Sequence, residues 1–359
     1  PLLPVIAITI AILSGCDRGG QSVYLPPSNG ASAPPAGPSK TFVADSDNRV
    51  IASFANADPP AGEVGVDRLI SGSAVGNFME ALVYDAIADR LYVADDGVFP
   101  GVARSITIID NASIANGPSS ASRQIRSTAL NRSTTTMSLD AANDLLYVNN
   151  SDASSGNAVV LVFSGISTAS NDVVPDQVIA LIDYSGTPVS NVGAMHVDTI
   201  NDILYVSTSV SRGPAGFADV ILAYPNASLL NTAAPAIPNR EMEIGIAGGG
   251  RRWIVGDTVN DRLFVSSGSK VLVFDFLSFL PSGITTPARA IELTYAIAGL
   301  ALAPLGDRLY SIVSDPFIQL NGVIIVNNAS SANSDNGDVT TKFAVSPGSN
   351  RLSAIAVAP

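Results

Sequence analysis

The 359 residues include one histidine, His196, one cysteine, Cys16, and one tryptophan, Trp253. The other side chains able to do chemistry are carboxylates, amides and arginines, and they gather in short runs. These are Asp45 and Asp47, Asp95-Asp96, Asn149-Asn150 with Asp152, Asp315, and Arg251-Arg252 directly before Trp253. Carboxylate and amide oxygens suit a hard cation or the hydroxyls of a polar ligand, and paired guanidinium groups suit an anion. A Ser-His-Asp triad would need His196, but no Gly-x-Ser-x-Gly elbow accompanies it. One cysteine and one histidine exclude a disulfide framework, a Cys/His zinc cluster and haem attachment through CxxCH. With 31 acidic against 19 basic residues the net charge is −12, which opposes a phosphate backbone and excludes nucleic acid as an expected partner.

Two other stretches resemble ligand loops and fall short. GIAGGGRRW, from Gly245, is glycine-rich before basic residues, but a strand pattern follows it, not the helix N-terminus a phosphate cradle uses. In SANSDNGDVTTKF, from Ser331, counting back from Gly337 puts Phe343 where a calcium-binding EF-hand loop needs glutamate.

The elements that must position these residues recur along the chain. One phrase appears five times: VYDAIADRLYVAD from Val83, SLDAANDLLYVNN from Ser138, HVDTINDILYVST from His196, VGDTVNDRLFVSS from Val255 and ALAPLGDRLYSIV from Ala301. Each carries an aspartate three residues before an aromatic: Asp89, Asp144, Asp202, Asp261 and Asp307, spaced by 55, 58, 59 and 46 residues. A second apolar run follows each phrase (SITIID, AVVLVF, DVILAY, KVLVFD, GVIIVN), then a weaker third (RQIRS, DQVIAL, REMEIG, ARAIEL, TKFAVS). β-Branched and aromatic residues bounded by turn formers read as strands, and consecutive apolar positions suit strands buried on both faces. Four strands a to d per unit of 40 to 60 residues are the signature of a propeller blade.

The ends agree with this reading. TFVADSDNRVIASF and VDRLISG supply strands b, c and d of a first blade without strand a, and LSAIAVAP, from Leu352, supplies a lone strand a. The expected fold is therefore all-β: a six-bladed β-propeller of four-stranded antiparallel blades over residues 41–359. Its C-terminal strand completes the N-terminal blade and leaves no free edge. LYVAD, LYVNN and LYVST resemble the YVTN and NHL-type repeats of secreted bacterial proteins, a resemblance that implies fold and leaves activity open. The paired aspartates (Asp85/Asp89, Asp140/Asp144, Asp198/Asp202, Asp257/Asp261) read as tight a-to-b turns. Asn111-Ala112-Ser113, Asn226-Ala227-Ser228 and Asn328-Ala329-Ser330 read as turn chemistry after strand c in preference to glycosylation sequons.

In a propeller the d-to-a and b-to-c loops share one face around the channel. That face would hold Glu80, Thr134, Thr135, Arg251 and Arg252 from the first set. From the second come Asp45, Asp47, Asp95, Asp96, Asn149, Asn150, Asp152 and Asp315. Two readings are open: a polar ligand site, with Glu80, Asp95, Asp96, Asn149, Asn150, Arg251, Arg252 and Asp315 as its contacts and the arginines as an anion clamp, or a solvated loop face. His196 falls on strand a, at a position held elsewhere by Val83, Ser138, Val255, Ala301 and Ala356, and reads as a buried or channel-lining structural histidine. Phe99, Phe217 and Phe317 lie in long b-to-c loops, where they anchor a partner or pack their own loops.

The N-terminal residues carry an address. Pro1 to Ile12 are apolar and lead into Leu13-Ser14-Gly15-Cys16, which resembles the lipobox of bacterial lipoproteins. The resemblance implies a truncated signal peptide at 1–15 and cleavage before Cys16. The thiol then takes a diacylglycerol and the new amino group is acylated, which anchors the protein to a bacterial membrane as a periplasmic or cell-surface lipoprotein. The alternative is a truncated transmembrane anchor with a chance cysteine. QSVYLPPSNGASAPPAGPSK completes residues 16–40 as a Pro/Gly/Ser-rich tether.

The expected role is a membrane-anchored binding or scaffold module. It meets a protein, glycan or polar small molecule at the b-to-c loop face, with no cofactor and no assigned catalytic or metal-ligating residue. The alternative is a Ca2+-dependent lactonase of the gluconolactonase kind, with Ca2+ as its cofactor. A Glu-Asn-Asn-Asp ligand set of that kind does not lay onto this chain residue by residue.

Overall fold

Each recurring phrase folds as a hairpin of strands a and b, and its aromatic seeds a contact with the next blade. In the computed structural model the described residues are 41–54, 66–72, 75, 76, 78–96, 104–119, 121–130, 134, 136–230, 234–244, 252–293, 295–303, 307–315, 320–332, 339–344 and 352–358. The expected signal segment, Cys16 and the tether lie outside them. Six sheets surround a central channel, each with strand a innermost.

The a–b hairpins of blades two to six are Met79–Asp85 with Arg90–Asp95, Met137–Asp140 with Leu145–Ser151, Ala194–Asp198 with Ile203–Ser211, Ile254–Asp257 with Arg262–Ser267, and Ala296–Ala303 with Arg308–Asp315. Their c and d strands are Ser105–Asp110 and Arg123–Arg126, Ala158–Ser164 and Gln177–Ala180, Phe217–Pro225 and Arg240–Glu243, Lys270–Asp275 and Arg289–Glu292, and Leu320–Asn327 and Val339–Ala344. The first blade is composite. Strand a is Leu352–Val357, paired with Thr41–Asp45 in the register Thr41↔Val357 and Val43↔Ile355, followed by Val50–Phe54 and Arg68–Ser71. Strand a of every blade packs on the a strands of its two neighbours, so the C-terminal strand closes the ring as expected.

Three blades depart from the four-strand expectation. Two-residue strands in the c-to-d connections, Gly117–Pro118, Asn171–Asp172 and Gly283–Ile284, add in parallel to strand d of the preceding blade. Each offers exposed d-strand groups a partner and blunts that outer edge.

Tyr92, Tyr147, Tyr205, Phe264, Tyr310 and Phe42 occupy one position of strand b and are fully buried. Each joins an apolar cluster shared with the next blade, such as Tyr92 with Leu146 and Val148, and Tyr205 with Leu263 and Val265. Burying such rings at six interfaces is the main apolar cement of the ring, at ~25 cal/mol per Å2 removed from water.

The turns are built as the aspartate pattern implies. Asp140 accepts from the backbone N–H of Asn143 at 3.0 Å and from its Nδ2 at 2.7 Å, and Asp198 and Asp257 repeat this with Asn201 and Asn260. The second aspartates adopt left-handed backbone, from φ 48° at Asp307 to 56° at Asp144, a conformation asparagine and aspartate tolerate better than other non-glycine residues. Their carboxylates reach the c-to-d turn: in blade four Asp202 accepts from Ser228 N–H at 2.8 Å and from its hydroxyl at 2.9 Å. Asp89 with Ser113, Asp144 with Ser167, Asp261 with Ser278 and Asp307 with Ser330 repeat the clasp. The Asn-Ala-Ser echo is thus turn chemistry, with Asn111, Asn226 and Asn328 in left-handed backbone and the serine in the clasp.

Candidate functional site

The channel has a volume of about 360 Å3 and is lined by strand a of all six blades. Its wall is mostly apolar, with Leu82, Val83, Val255, Leu302 and Ile355 among the lining residues, while Glu80, Thr136, Ser138, His196 and Trp253 bring polar atoms to it. Small-molecule sites commonly combine such a wall with a few polar groups.

The rim at the start of the a strands and the end of the b strands carries the residues singled out from the sequence. The fold engages at least one oxygen of several of them. Asn149 Oδ1 accepts from Thr136 N–H at 2.8 Å, and Ser207 Oγ and Ser266 Oγ accept from Ala194 N–H and Trp253 N–H at the same distance. Each capped N–H lies 13 residues before its acceptor, so one position of strand b repeatedly ties down the entry to strand a. Asp95 Oδ1 accepts from Phe78 N–H at 3.2 Å, and its carboxyl fills the space left by Gly76, where a Cβ would stand 2.1 Å from Cγ. Asp96 is ion-paired with Arg104 at 2.6 Å. Asn150 Oδ1 accepts from Ser151 N–H at 2.8 Å, and Asp45 caps the b-to-c turn of the first blade through Asn48.

Arg252 extends the pattern. Its Nη2 and Nε reach Asp219 Oδ2 at 2.6 and 3.1 Å, and Nη1 donates to Ser267 Oγ at 3.2 Å. Asp219 and Arg252 side chains are 2% and 8% exposed, so the pair is desolvated and the guanidinium faces an internal carboxylate. Arg212 pairs with Glu241 and, at 3.3 Å, with Glu243 on the same rim. Exposed Asp152 is held down to about 2 by hydrogen bonds from Ser154 and Ser155. Thr134 is buried at the rim, Glu80 lines the channel, and Asp47 is exposed. Arg251, Thr135, Phe99 and Phe317 lie outside the described residues, and the Asp315 side chain is likewise not described. Phe217 is exposed.

His196 is the channel-lining histidine expected from its place on strand a. Its Nε2 is buried, without a hydrogen-bond partner among the described residues, and packs over Gly256 of the next blade. Burial pushes its pKa down to about 4 against the opposing charges of Asp198 and Asp257, so the ring is neutral near pH 7. No serine accompanies it as a nucleophile in a described hydrogen bond. Among the described residues no group of three or more His, Cys, Asp or Glu side chains converges to hold a metal ion. Asp95, Asp96, Asn149 and Asn150 each engage one side-chain oxygen, Oδ1, in a bond to the entry of strand a, the end of strand b or a loop.

The sequence reading missed the arginine that opens strand d. Arg123 donates to the carbonyls of Ile166 and Ala169, Arg240 to that of Leu277, and Arg289 to those of Ala332 and Ala329, each in the c-to-d turn of the next blade. The signal was present as an arginine recurring at the head of RQIRS, REMEIG and the third run of blade five.

No protein-family model matches the chain, and no curated protein matches it. Solved structures do. Hydrazine synthase of Kuenenia stuttgartiensis is similar at TM-score 0.52 and 13% identity over 80% of each chain. A functionally unknown protein from Desulfotomaculum acetoxidans DSM 771 is similar at TM-score 0.52 and 10% identity, covering 89% of this chain and 99% of that one. The periplasmic gluconolactonase of Pseudomonas aeruginosa is similar at TM-score 0.50 and 16% identity, covering 87% and 97%. What these likenesses share with the chain is the propeller fold.

Proposed function

We propose that the chain is a binding module of the bacterial cell envelope, held there by an acylated Cys16 and meeting its ligand at the channel mouth and the b-to-c loops. One observation carries the preference for binding over reaction: the rim carboxylates and amides hold strand a and the loops in place. Asn149, Asp95, Asp96 and Arg252 then shape the mouth from beneath, and Glu80 and the loop tips meet the ligand. A protein, a glycan or a polar small molecule fits such a face. The sequence Leu13-Ser14-Gly15-Cys16 supports the anchor.

The alternative, a Ca2+-dependent lactonase, draws support from the fold likeness to the periplasmic gluconolactonase and lacks a ligand set among the described residues. Expression of the parent and of Cys16→Ser in a bacterium, followed by fractionation and a lactone assay with Ca2+, tests both parts. The parent in the membrane fraction, the variant released and neither cleaving lactones is the expected result. An unchanged distribution overturns the anchor, and Ca2+-dependent turnover overturns the binding reading.

A further inference from the structure

At its entry, strand a of every blade puts one residue at the same level of the channel, opposite one position of strand b. In ring order these are Ala354, Ala81, Thr136, Ala194, Trp253 and Gly299, and all of them line the channel. Five are small, and the sixth is the one tryptophan of the chain. Five blades complete this level without a large side chain, so the indole is not a requirement of the repeat. Its backbone is held on both sides: the N–H donates to Ser266 Oγ at 2.8 Å, and the carbonyl accepts from Ser266 N–H at 2.9 Å. The partly buried ring packs on the cluster of Ala194, Ile254 and Leu263 and borders the channel.

A carboxylate meets the channel from the other side. The a strands pack on one another in ring order, which sets the second blade opposite the fifth. In the second blade Met79 pairs with Asp95 and Ala81 with Ala94, and Glu80 is the residue inserted between them, a β-bulge of the kind that re-aims a side chain. Blades six and one are bulged at the same position, at Ala298 and Ser353. Of these three residues Glu80 alone is charged and alone lines the channel, while Ser353 Oγ is hydrogen-bonded to Ser46 at 2.8 Å. The other carboxylate of the lining is Asp85, at the far end, and no lysine or arginine among the described residues lines the channel. Arg252, next to Trp253, is turned to Asp219, and His196 is neutral near pH 7.

We infer that the channel takes a small organic monocation, an amine or quaternary ammonium with an apolar body, whose charged group lies between the Trp253 ring and the Glu80 carboxylate. The inference rests on the binding reading above and narrows its ligand to one class. An aromatic face attracts a cation through its quadrupole, tryptophan most strongly, and more so where water is displaced. A channel whose charged groups share one sign and whose walls have a low dielectric concentrates counter-ions of the other sign. An inorganic cation gains nothing from a wall of Leu82, Val255, Leu302 and Ile355, whereas alkyl groups are removed from water there. An anion meets a carboxylate at each end.

The test uses the full chain and three probes: choline, its neutral isostere 3,3-dimethyl-1-butanol, and glucose. Emission from Trp253 reports binding at the channel directly, because the chain has no other tryptophan. The expected result is a saturable change in emission with choline and none with the other two at the same concentrations. Titration calorimetry then compares variants. Glu80→Gln and Trp253→Leu should each weaken choline binding about tenfold, Trp253→Phe should lose less than Trp253→Leu, and Phe217→Ala should match the parent. Equal binding of choline and its isostere, or a Glu80→Gln variant that binds choline as the parent does, overturns the recognition of charge. Glucose binding in place of choline, or no response to any probe, overturns the ligand class. Each of these outcomes leaves the binding reading standing, whereas Ca2+-dependent cleavage of a lactone overturns that reading and the inference together.

Discussion

The imidazole of His196 occupies the space that a side chain at position 256 would fill: a Cβ on Gly256 would stand 2.1 Å from Nε2. The two residues belong to strand a of neighbouring blades, so a glycine in one blade makes room for a histidine in the next. Gly256→Ala should destabilise the protein by ~1–3 kcal/mol through overpacking. His196→Ala in the same chain should recover most of that loss. Urea unfolding of the single and double variants measures the coupling, and additive effects would contradict the contact.

The same histidine makes stability depend on pH. Its pKa falls from 6.5 in the unfolded chain to about 4 in the folded one. Between these values the unfolded chain binds a proton that the folded chain does not. The contribution is therefore complete above pH 6.5 and is lost as pH falls toward 4, by ~3 kcal/mol. His196→Val, which installs the residue found at Val83 and Val255, should remove this part of the decline. Unfolding curves at pH 7 and pH 4.5 for both proteins check it, and an unchanged difference between the two pH values would refute it.

Removing one member of the buried Arg252–Asp219 pair should cost more than removing both. Arg252→Ala leaves the Asp219 carboxylate uncompensated, a loss of ~3–5 kcal/mol, whereas Arg252→Met with Asp219→Leu should lie much closer to the parent. Equal losses in thermal melts would show that the pair has another role.

The clasp between Asp202 and Ser228 predicts an order of substitutions. Asp202→Ala loses two hydrogen bonds and puts a Cβ-only residue at φ 53°, for roughly 2–3 kcal/mol in all. Asp202→Asn keeps an acceptor and tolerates the left-handed backbone, so it should lose less than half as much. Equal losses for the two variants would remove the backbone argument.

The architecture was legible because one phrase marks strand a, the turn and strand b in five units, and because LSAIAVAP has no blade of its own. The two-residue parallel strands at 117–118, 171–172 and 283–284 were not legible, since two residues carry no periodicity. The rim residues were read as loop residues, but Asp45, Glu80, Asp95, Asn149, Asn150 and Asp315 lie within strands a and b, and their bonding was hidden. Asn149 caps Thr136 only because antiparallel pairing folds the chain back over 13 residues, and Arg252 meets Asp219 across 33 residues and two blades. The room that Gly256 leaves for His196 depends on neighbouring blades meeting at strand a, which no local pattern records.

The central claim, that the rim oxygens serve the fold and leave a binding face in place of a calcium-dependent hydrolase, is tested most directly by calorimetry. The purified protein is melted with EDTA and with excess Ca2+. A ligand at one hundred times its dissociation constant adds ~2.7 kcal/mol, a readily measured rise in Tm. The account predicts the same Tm in both conditions, and a large rise specific to Ca2+ would contradict it.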